Sequence, residues 1–134
     1  MSRKKYLLDT SALLALIEAE SGADRVREIF TRKQVILPWT VLMEVYYISF
    51  QERGQQEAET RFAMLRHSSA EVIWEMSEAI TLMAAKIKAE NRISFADAVI
   101  SALAIQHNAV LVHKDPEYEQ LVGQVEMEAL PFKT

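Results

Sequence analysis

Four of the 19 acidic residues stand where a charged side chain is unexpected. Asp9 and Asp115 each follow a short apolar run. Glu44 is the single acid in WTVLMEVYYISF, and Asp97 lies in the helical pattern SFADAVISALAIQHN. Carboxylates that gather in a fold repel one another unless a cation is present. Because oxygen ligands favour hard divalent ions, the four acids predict a Mg²⁺ or Mn²⁺ site suited to phosphate-ester hydrolysis.

The apolar periodicity predicts strands that alternate with helices, and this alternation can bring the acids together. Strands are expected at 5–8, 34–37, 71–74 and 109–112, with 125–130 as an optional fifth strand at an edge. Helices are expected from residue 10 or 11 to about 20, around 23–30, at 40–53, around 58–65, after residue 77, at 95–107, and briefly after residue 115.

This order of elements predicts the α/β class, with a central parallel four- to five-stranded sheet flanked by helices on both faces. The chain of 134 residues is expected to form one domain, residues 1–134. Functional sites of parallel sheets collect at the carboxyl ends of the strands. Two of the acids, Asp9 and Asp115, would lie just past strands, so one edge of the sheet could gather all four.

Two of the acids also have an ordinary explanation as helix caps. Asp9 suits an N-cap position, although Thr10 and Ser11 could cap that helix equally well. Asp115 is followed by Pro116, which favours the first position of a helix. Capping alone therefore does not require Asp9, whereas it is a sufficient reason for Asp115.

The other two acids have structural alternatives of their own. Ser94 and Asp97 have the spacing of a capping box, and an acid in the first turn of a helix suits the helix dipole. Glu44 could be a buried glutamate that pairs with an arginine. Against the structural explanation for Asp97, its neighbours on the same helix face, Ile100 and Ser101 among them, are small or apolar and are expected to be packed.

Composition excludes several function classes. The chain has no cysteine, so disulfides, thiolate nucleophiles and cysteine-ligated zinc sites are excluded. A net charge of −4 argues against a nucleic-acid coat protein, but it allows an enzyme that meets phosphates through a metal ion. The basic start and the apolar run after it imitate a signal peptide, yet Asp9 interrupts that run. No apolar stretch approaches the roughly 18 residues of a membrane span, so we expect a cytoplasmic protein without a membrane partner.

Four pieces, in this order, resemble PIN-domain proteins and most of all the VapC-type toxin ribonucleases of type II toxin–antitoxin pairs: LLDTSALLAL, the lone Glu44, SFADAVISALA and VLVHKDPEYEQL. The resemblance implies the PIN fold and an acidic pocket that binds Mg²⁺ or Mn²⁺. It implies hydrolysis of an RNA phosphodiester by metal-activated water. Asp9 and Asp97 would be the principal metal ligands. Glu44 and Asp115 would complete the site by holding water on the metal or a second ion.

Further details of the resemblance concern the surroundings of these acids. Thr10 or Ser11 would form hydrogen bonds with the site. The family often has Ser or Thr two residues before the fourth acid, where this chain has His113. Glu117 matches a second acid that is often found nearby, so it could share the role of Asp115.

The resemblance also implies a homodimer and a cognate antitoxin that covers the site. The aromatic residues Trp39, Tyr46, Tyr47 and Phe50 are candidates for such contacts, although core packing explains each of them as well.

Two other hypotheses remain. One is a catalytically silent PIN scaffold that only binds RNA or protein. The other is a phosphatase or phosphotransferase with an aspartyl nucleophile, of the haloacid-dehalogenase type. Such enzymes need a second acid two residues after the first, and here that residue is Ser11.

Overall fold

Five strands form one sheet in the order β3-β2-β1-β4-β5, and every neighbouring pair is parallel. The computed structural model describes residues 4–132. The strands are β1 (Lys5–Leu8), β2 (Gln34–Pro38), β3 (Glu71–Ile73), β4 (Ala109–His113) and β5 (Met127–Ala129). The helices are α1 (Thr10–Ile17), α2 (Ala23–Arg32), α3 (Trp39–Arg53), α4 (Gln55–Arg66), α5 (Glu78–Glu90) and α6 (Phe95–Gln106), with a 3-10 helix at Pro116–Leu121. The predicted α/β architecture, with a parallel sheet of four to five strands, is confirmed, and the sheet has five strands.

The core lies where the central strands pack against the helices. Leu7 and Leu8 of β1 and Leu111 and Val112 of β4 are fully buried. Such continuous apolar runs are typical of parallel strands that are covered on both faces. The helix α6 contributes a nearly unbroken buried segment, 98–104. The central position of β1 therefore follows from its composition.

Several predicted boundaries were wrong: β2, α3, α6 and β4 each differ by one residue at one end, and the first helix, β3 and β5 differ as follows. The first helix ends at Ile17, not near residue 20, because Ala19 adopts a left-handed conformation with φ of 54°. β3 ends at Ile73, so Trp74 lies outside it and is exposed. The fifth strand does lie at an edge of the sheet, but its regular part is only Met127–Ala129.

The topology brings several helix starts to one edge of the sheet. α1 begins two residues after β1 ends, and α3 begins directly after β2. α6 ends at Gln106, just before β4 begins, so its first turn lies near the end of β4. The 3-10 helix follows β4 on the same side. The carboxyl edge of the sheet therefore holds every predicted acid.

Within residues 4–132 no helix has the length and apolar character that a membrane crossing requires.

Candidate metal centre

Three carboxylates meet at the carboxyl edge of the sheet. Asp97, Asp115 and Glu117 each offer an oxygen, and these oxygens lie within 4.8 Å of one another. All three side chains are half-buried. We call them the acidic trio. A set of carboxylate oxygens at this spacing fits a hard divalent ion such as Mg²⁺ or Mn²⁺.

Asp97 is held at the start of α6 by two separate contacts. Its backbone N–H donates to Ser94 Oγ at 3.1 Å, so Ser94 caps the helix as the spacing predicted. The carboxylate is turned elsewhere, since the hydroxyl of Tyr118 donates to Asp97 Oδ1 at 2.8 Å. Capping therefore does not occupy the Asp97 side chain, and the structural and functional explanations hold together.

Asp115 is the N-cap of the 3-10 helix that begins with Pro116, as predicted. Its Oδ1 accepts the backbone N–H of Glu117 at 2.9 Å. Its own backbone N–H donates to His113 Nδ1 at 3.2 Å. This tight turn brings the Glu117 carboxylate beside those of Asp115 and Asp97.

Asp9 is almost completely buried, with 3% of its surface exposed, and it caps α1. Its Oδ1 accepts from Ala12 N at 2.9 Å and from Ser11 Oγ at 2.7 Å. The alternative that Thr10 or Ser11 caps this helix was therefore wrong. Ser11 Oγ also accepts the backbone N–H of Lys114 at 2.8 Å, which ties the start of α1 to the segment after β4.

Burial sets the charge state of Asp9. It raises the pKa of this carboxyl to about 7, and the nearby charges of Asp97 and Asp115 add to the rise. The hydrogen bonds from Ala12 and Ser11 act in the opposite direction but do not cancel the effect of burial. A cation near Asp9 would favour the ionised form, which is what a metal centre supplies.

Glu44 lies on α3 and accepts a hydrogen bond from Thr10 Oγ1 at 2.6 Å. Burial raises its pKa, and the charge of Asp97 adds to this effect. The alternative that Glu44 pairs with a buried arginine was wrong, because the buried Arg61 pairs with Glu18 and Glu57. Glu44 therefore faces the same acidic region as Asp97.

The acids of this region take no part in the salt bridges that the described residues form. Over residues 4–132, none of the five carboxylates forms a salt bridge with a lysine or arginine; these are Asp9, Glu44, Asp97, Asp115 and Glu117. Burial also raises the pKa of Glu117, and a hydrogen bond with Asp97 raises it further. Carboxylates that lie together without salt-bridge partners among the described residues fit a site that a divalent ion neutralises.

The five acids are not equivalent in position. Asp9 and Glu44 lie outside the acidic trio, although the charge of Asp97 raises the pKa of both. Glu117, which the sequence placed beside Asp115 as a supporting acid, is a full member of the trio. The signal for Glu117 was the resemblance to PIN-domain proteins, which often have a second acid near this position. Sequence reasoning missed the contact between Tyr118 and Asp97.

The aromatic residues proposed for partner contacts divide into two groups. Trp39, Tyr46 and Tyr47 line an apolar cavity of about 610 Å³ between α3, α4 and the end of β3. Phe50 lies outside this lining and is 45% exposed. Tyr47 is 42% exposed; burial raises its pKa, and the nearby charge of Glu44 adds to the rise. The cavity therefore adjoins the acidic region through Tyr47.

The affinity for Mn²⁺ is expected to rise about 25-fold between pH 5.5 and 7.5, in proportion to the ionised fraction of a carboxyl with a pKa of about 7. Because the pKa of Asp9 is about 7, the carboxyl is mostly protonated below that pH, and an ion must displace the proton. Calorimetric titration in two buffers of different ionisation enthalpy would measure both the affinity and the proton release. Glu119→Gln, which alters an exposed acid on the same 3-10 helix, is expected to keep the pH profile. An affinity that does not change over this range would contradict the expectation.

Comparisons with known proteins concern the family and the fold of the chain. A model of the PIN domain family matches residues 6–123. A search of curated proteins gave no match. Among solved structures, VapBC2 from Rickettsia felis, bound to a DNA fragment from its promoter, has a TM-score of 0.76 at 18% identity and covers 95% of this chain and 99% of its own.

Two further solved structures are similar over nearly the full length. VapC20 from Mycobacterium tuberculosis, a toxin that cleaves the sarcin-ricin loop, has a TM-score of 0.73 at 19% identity, with 94% of this chain and 98% of its own covered. VapBC-1 from nontypeable Haemophilus influenzae has a TM-score of 0.73 at 20% identity, with 93% and 97% covered. At these identities the likeness concerns the fold.

Proposed function

The chain belongs to the PIN domain family, and we propose that it is a Mg²⁺- or Mn²⁺-dependent endoribonuclease, the toxin component of a type II toxin–antitoxin system. PIN domains are generally nucleases, and the similar structures include a toxin that cleaves RNA. The single observation that carries the proposal is the acidic trio, which stands without salt-bridge partners among residues 4–132.

The proposed roles of the acids follow from their positions. Asp97, Asp115 and Glu117 would hold the ion, with Asp9 as a further ligand beside Asp97. Glu44 would hold water or a second ion. When bound, the ion would activate water for attack on phosphorus and offset charge on the phosphate oxygens.

Two hydroxyl groups of α1 donate hydrogen bonds to two of these acids. Ser11 donates to Asp9, at 2.7 Å to Oδ1, and Thr10 donates to Glu44 Oε1 at 2.6 Å. Hydrogen bonds of this kind orient carboxylates before a ligand arrives, and so reduce the cost of ordering the site. In the proposed mechanism Thr10 and Ser11 therefore position the acids and do not touch the RNA.

The proposal extends to partners. VapBC2 and VapBC-1 are toxin–antitoxin structures with the same fold, which supports a cognate antitoxin for this chain. The cavity lined by Trp39, Tyr46 and Tyr47, together with the exposed Phe50, offers apolar area for an antitoxin or a second copy in a homodimer. We propose that the chain acts in the cytoplasm as a single domain, residues 1–134.

Cleavage of RNA tests the function directly. The purified chain, incubated with total RNA, is expected to cut it with Mg²⁺ or Mn²⁺ and to stop cutting when a chelator removes the ion. The reason is that hydrolysis needs positive charge to activate water and to offset charge on the phosphate, and carboxylates alone cannot supply it. Fragment ends mapped by sequencing would measure the cleavage and identify the RNA. Binding of Mn²⁺ and RNA without any cleavage would overturn the nuclease proposal and favour the catalytically silent scaffold.

A further inference from the structure

Tyr118 connects the acidic trio to the protein interior. Its side chain has no exposed surface, and it lies in the 3-10 helix directly after Glu117. Its hydroxyl donates to Asp97 Oδ1 at 2.8 Å, across 21 positions of the chain. A buried tyrosine hydroxyl usually forms a hydrogen bond. Here its partner is Asp97, a member of the acidic trio.

The contact has a defined chemical direction. A phenol hydroxyl has one hydrogen to donate, and a bond to a charged carboxylate is stronger than one between neutral groups. The ordinary pKa of a tyrosine is about 10, so the hydroxyl is protonated at neutral pH and acts as the donor in this bond. With Oδ1 engaged, Oδ2 of Asp97 carries no hydrogen bond from Tyr118.

The ring of Tyr118 is fixed as firmly as its hydroxyl. It packs against the buried ring of His113, with 4.9 Å between the ring centroids. His113 Nδ1 accepts the backbone N–H of Asp115 at 3.2 Å. Tyr118 thus contacts Asp97 directly and contacts the histidine that holds Asp115. The Tyr118 side chain therefore links α6, which carries Asp97, to the segment after β4, which carries Asp115 and Glu117.

We propose that Tyr118 is a positioning residue of the metal centre, whose hydroxyl fixes the Asp97 carboxylate so that its other oxygen faces the divalent ion. This inference rests on the metal site of the proposed function. It assigns a role to a side chain that does not itself bind the ion. Partners of this kind orient the ligands of metal sites, and their removal typically weakens metal binding about 10- to 100-fold.

A purely structural role would give a different result. If Tyr118 only fills the core and satisfies its hydroxyl, removal of the hydroxyl should lower the free energy of unfolding and leave ion affinity unchanged. If Tyr118 positions Asp97, a variant without the hydroxyl should bind the ion more weakly even when it is fully folded. Affinity and stability must therefore be measured on the same variant.

Tyr118→Phe tests the inference, since it keeps the ring and removes only the hydroxyl. Mn²⁺ binding by calorimetry at pH 7.5 is expected to weaken by about tenfold or more relative to the wild-type chain. The matched control is Tyr6→Phe, which removes a tyrosine hydroxyl from β1 and is expected to bind Mn²⁺ normally. Urea unfolding of the metal-free variants would show how much of each is folded.

The outcomes separate this inference from the function on which it rests. Normal Mn²⁺ affinity in a folded Tyr118→Phe would overturn the positioning role and leave the nuclease proposal intact. A wild-type chain that binds no Mn²⁺ would overturn both. Should Tyr118→Phe not fold, 3-fluorotyrosine at position 118 gives a second test. Saturation with Mg²⁺ is expected to shift its fluorine resonance, and an unchanged resonance would contradict the inference.

Discussion

Asp97→Asn is expected to lower Mn²⁺-dependent RNA cleavage by at least about 100-fold, the upper end of what loss of a supporting group costs. Asp97 is the acid that interacts with most of the other groups of the site. It belongs to the acidic trio, its charge raises the pKa of Asp9 and Glu44, and it accepts the Tyr118 hydroxyl. An amide of the same shape removes the charge that attracts the ion and keeps the helix cap, because that cap uses the backbone N–H. Initial cleavage rates at saturating Mn²⁺ would measure the loss.

The chain offers a matched control for this variant. Asp24 also lies in the first turn of a helix, α2, but it is fully exposed, and its one salt bridge among residues 4–132 is with Arg27. Asp24→Asn removes the same charge from the first turn of a helix, away from the site, and is expected to cleave RNA at the wild-type rate. If both variants retain full activity, Asp97 is not a ligand of the catalytic ion. If both lose activity equally, the loss reflects a general effect of charge.

The positions of Asp9, Glu44, Asp97 and Asp115 could be predicted from sequence because each depends on a local pattern. The short apolar runs before Asp9 and Asp115 favour buried strands, and parallel strands bring their carboxyl ends to the same edge. The order of elements then brings Glu44 and Asp97 to that edge on α3 and α6. Local pattern and topology were sufficient for the neighbourhood of the site.

The finer arrangement could not be predicted in this way. Membership of Glu117 in the trio depends on the tight 3-10 turn after Asp115, and periodicity cannot distinguish this turn from an ordinary helix. The bond between Tyr118 and Asp97 spans 21 positions and depends on how α6 packs against the segment after β4. Contacts of this kind arise from tertiary packing, which no window of sequence contains.

The helix caps show a third limit. The sequence presented capping and ligation as alternatives for Asp9, Asp97 and Asp115. In the structure Oδ1 of Asp9 accepts the capping hydrogen bond from Ala12 N. At the start of α6 the cap is made by Ser94 with the backbone N–H of Asp97, and the Asp97 carboxylate accepts from Tyr118 instead. A carboxylate has more acceptor sites than a cap consumes. The two roles are therefore compatible, and finding one does not weaken the other.

Asp9→Asn is expected to abolish cleavage and yet stabilise the metal-free protein at pH 8. In the folded chain the pKa of Asp9 is about 7, above its ordinary value of 3.8. The folded state thus holds a proton that the unfolded state has released, and stability falls as the pH rises from about 4 to about 7. The asparagine of the variant has no charge to bury. The free energy of unfolding of the variant should therefore not show this fall with rising pH.

The size of the effect follows from the replaced group. Asn is also a good N-cap, and an amide oxygen in the place of Oδ1 can accept from both Ala12 N and Ser11 Oγ. The amide still pays some cost of burial, so the gain at pH 8 is expected to be on the order of 2 kcal/mol, less than the full pKa shift implies. Urea unfolding in the presence of a chelator would give the free energy of unfolding at each pH.

The pH profile distinguishes this explanation from a general change in packing. At pH 4 Asp9 is protonated in the folded state, so the variant and the wild-type chain should differ little there. The difference should grow as the pH rises and level off above about pH 7. A saturating divalent ion should reverse the order, because it should stabilise the wild-type chain more than the variant, which has lost one ligand. A variant that is less stable at pH 8, or that still cleaves RNA at the wild-type rate, would show that Asp9 serves the fold and not the ion.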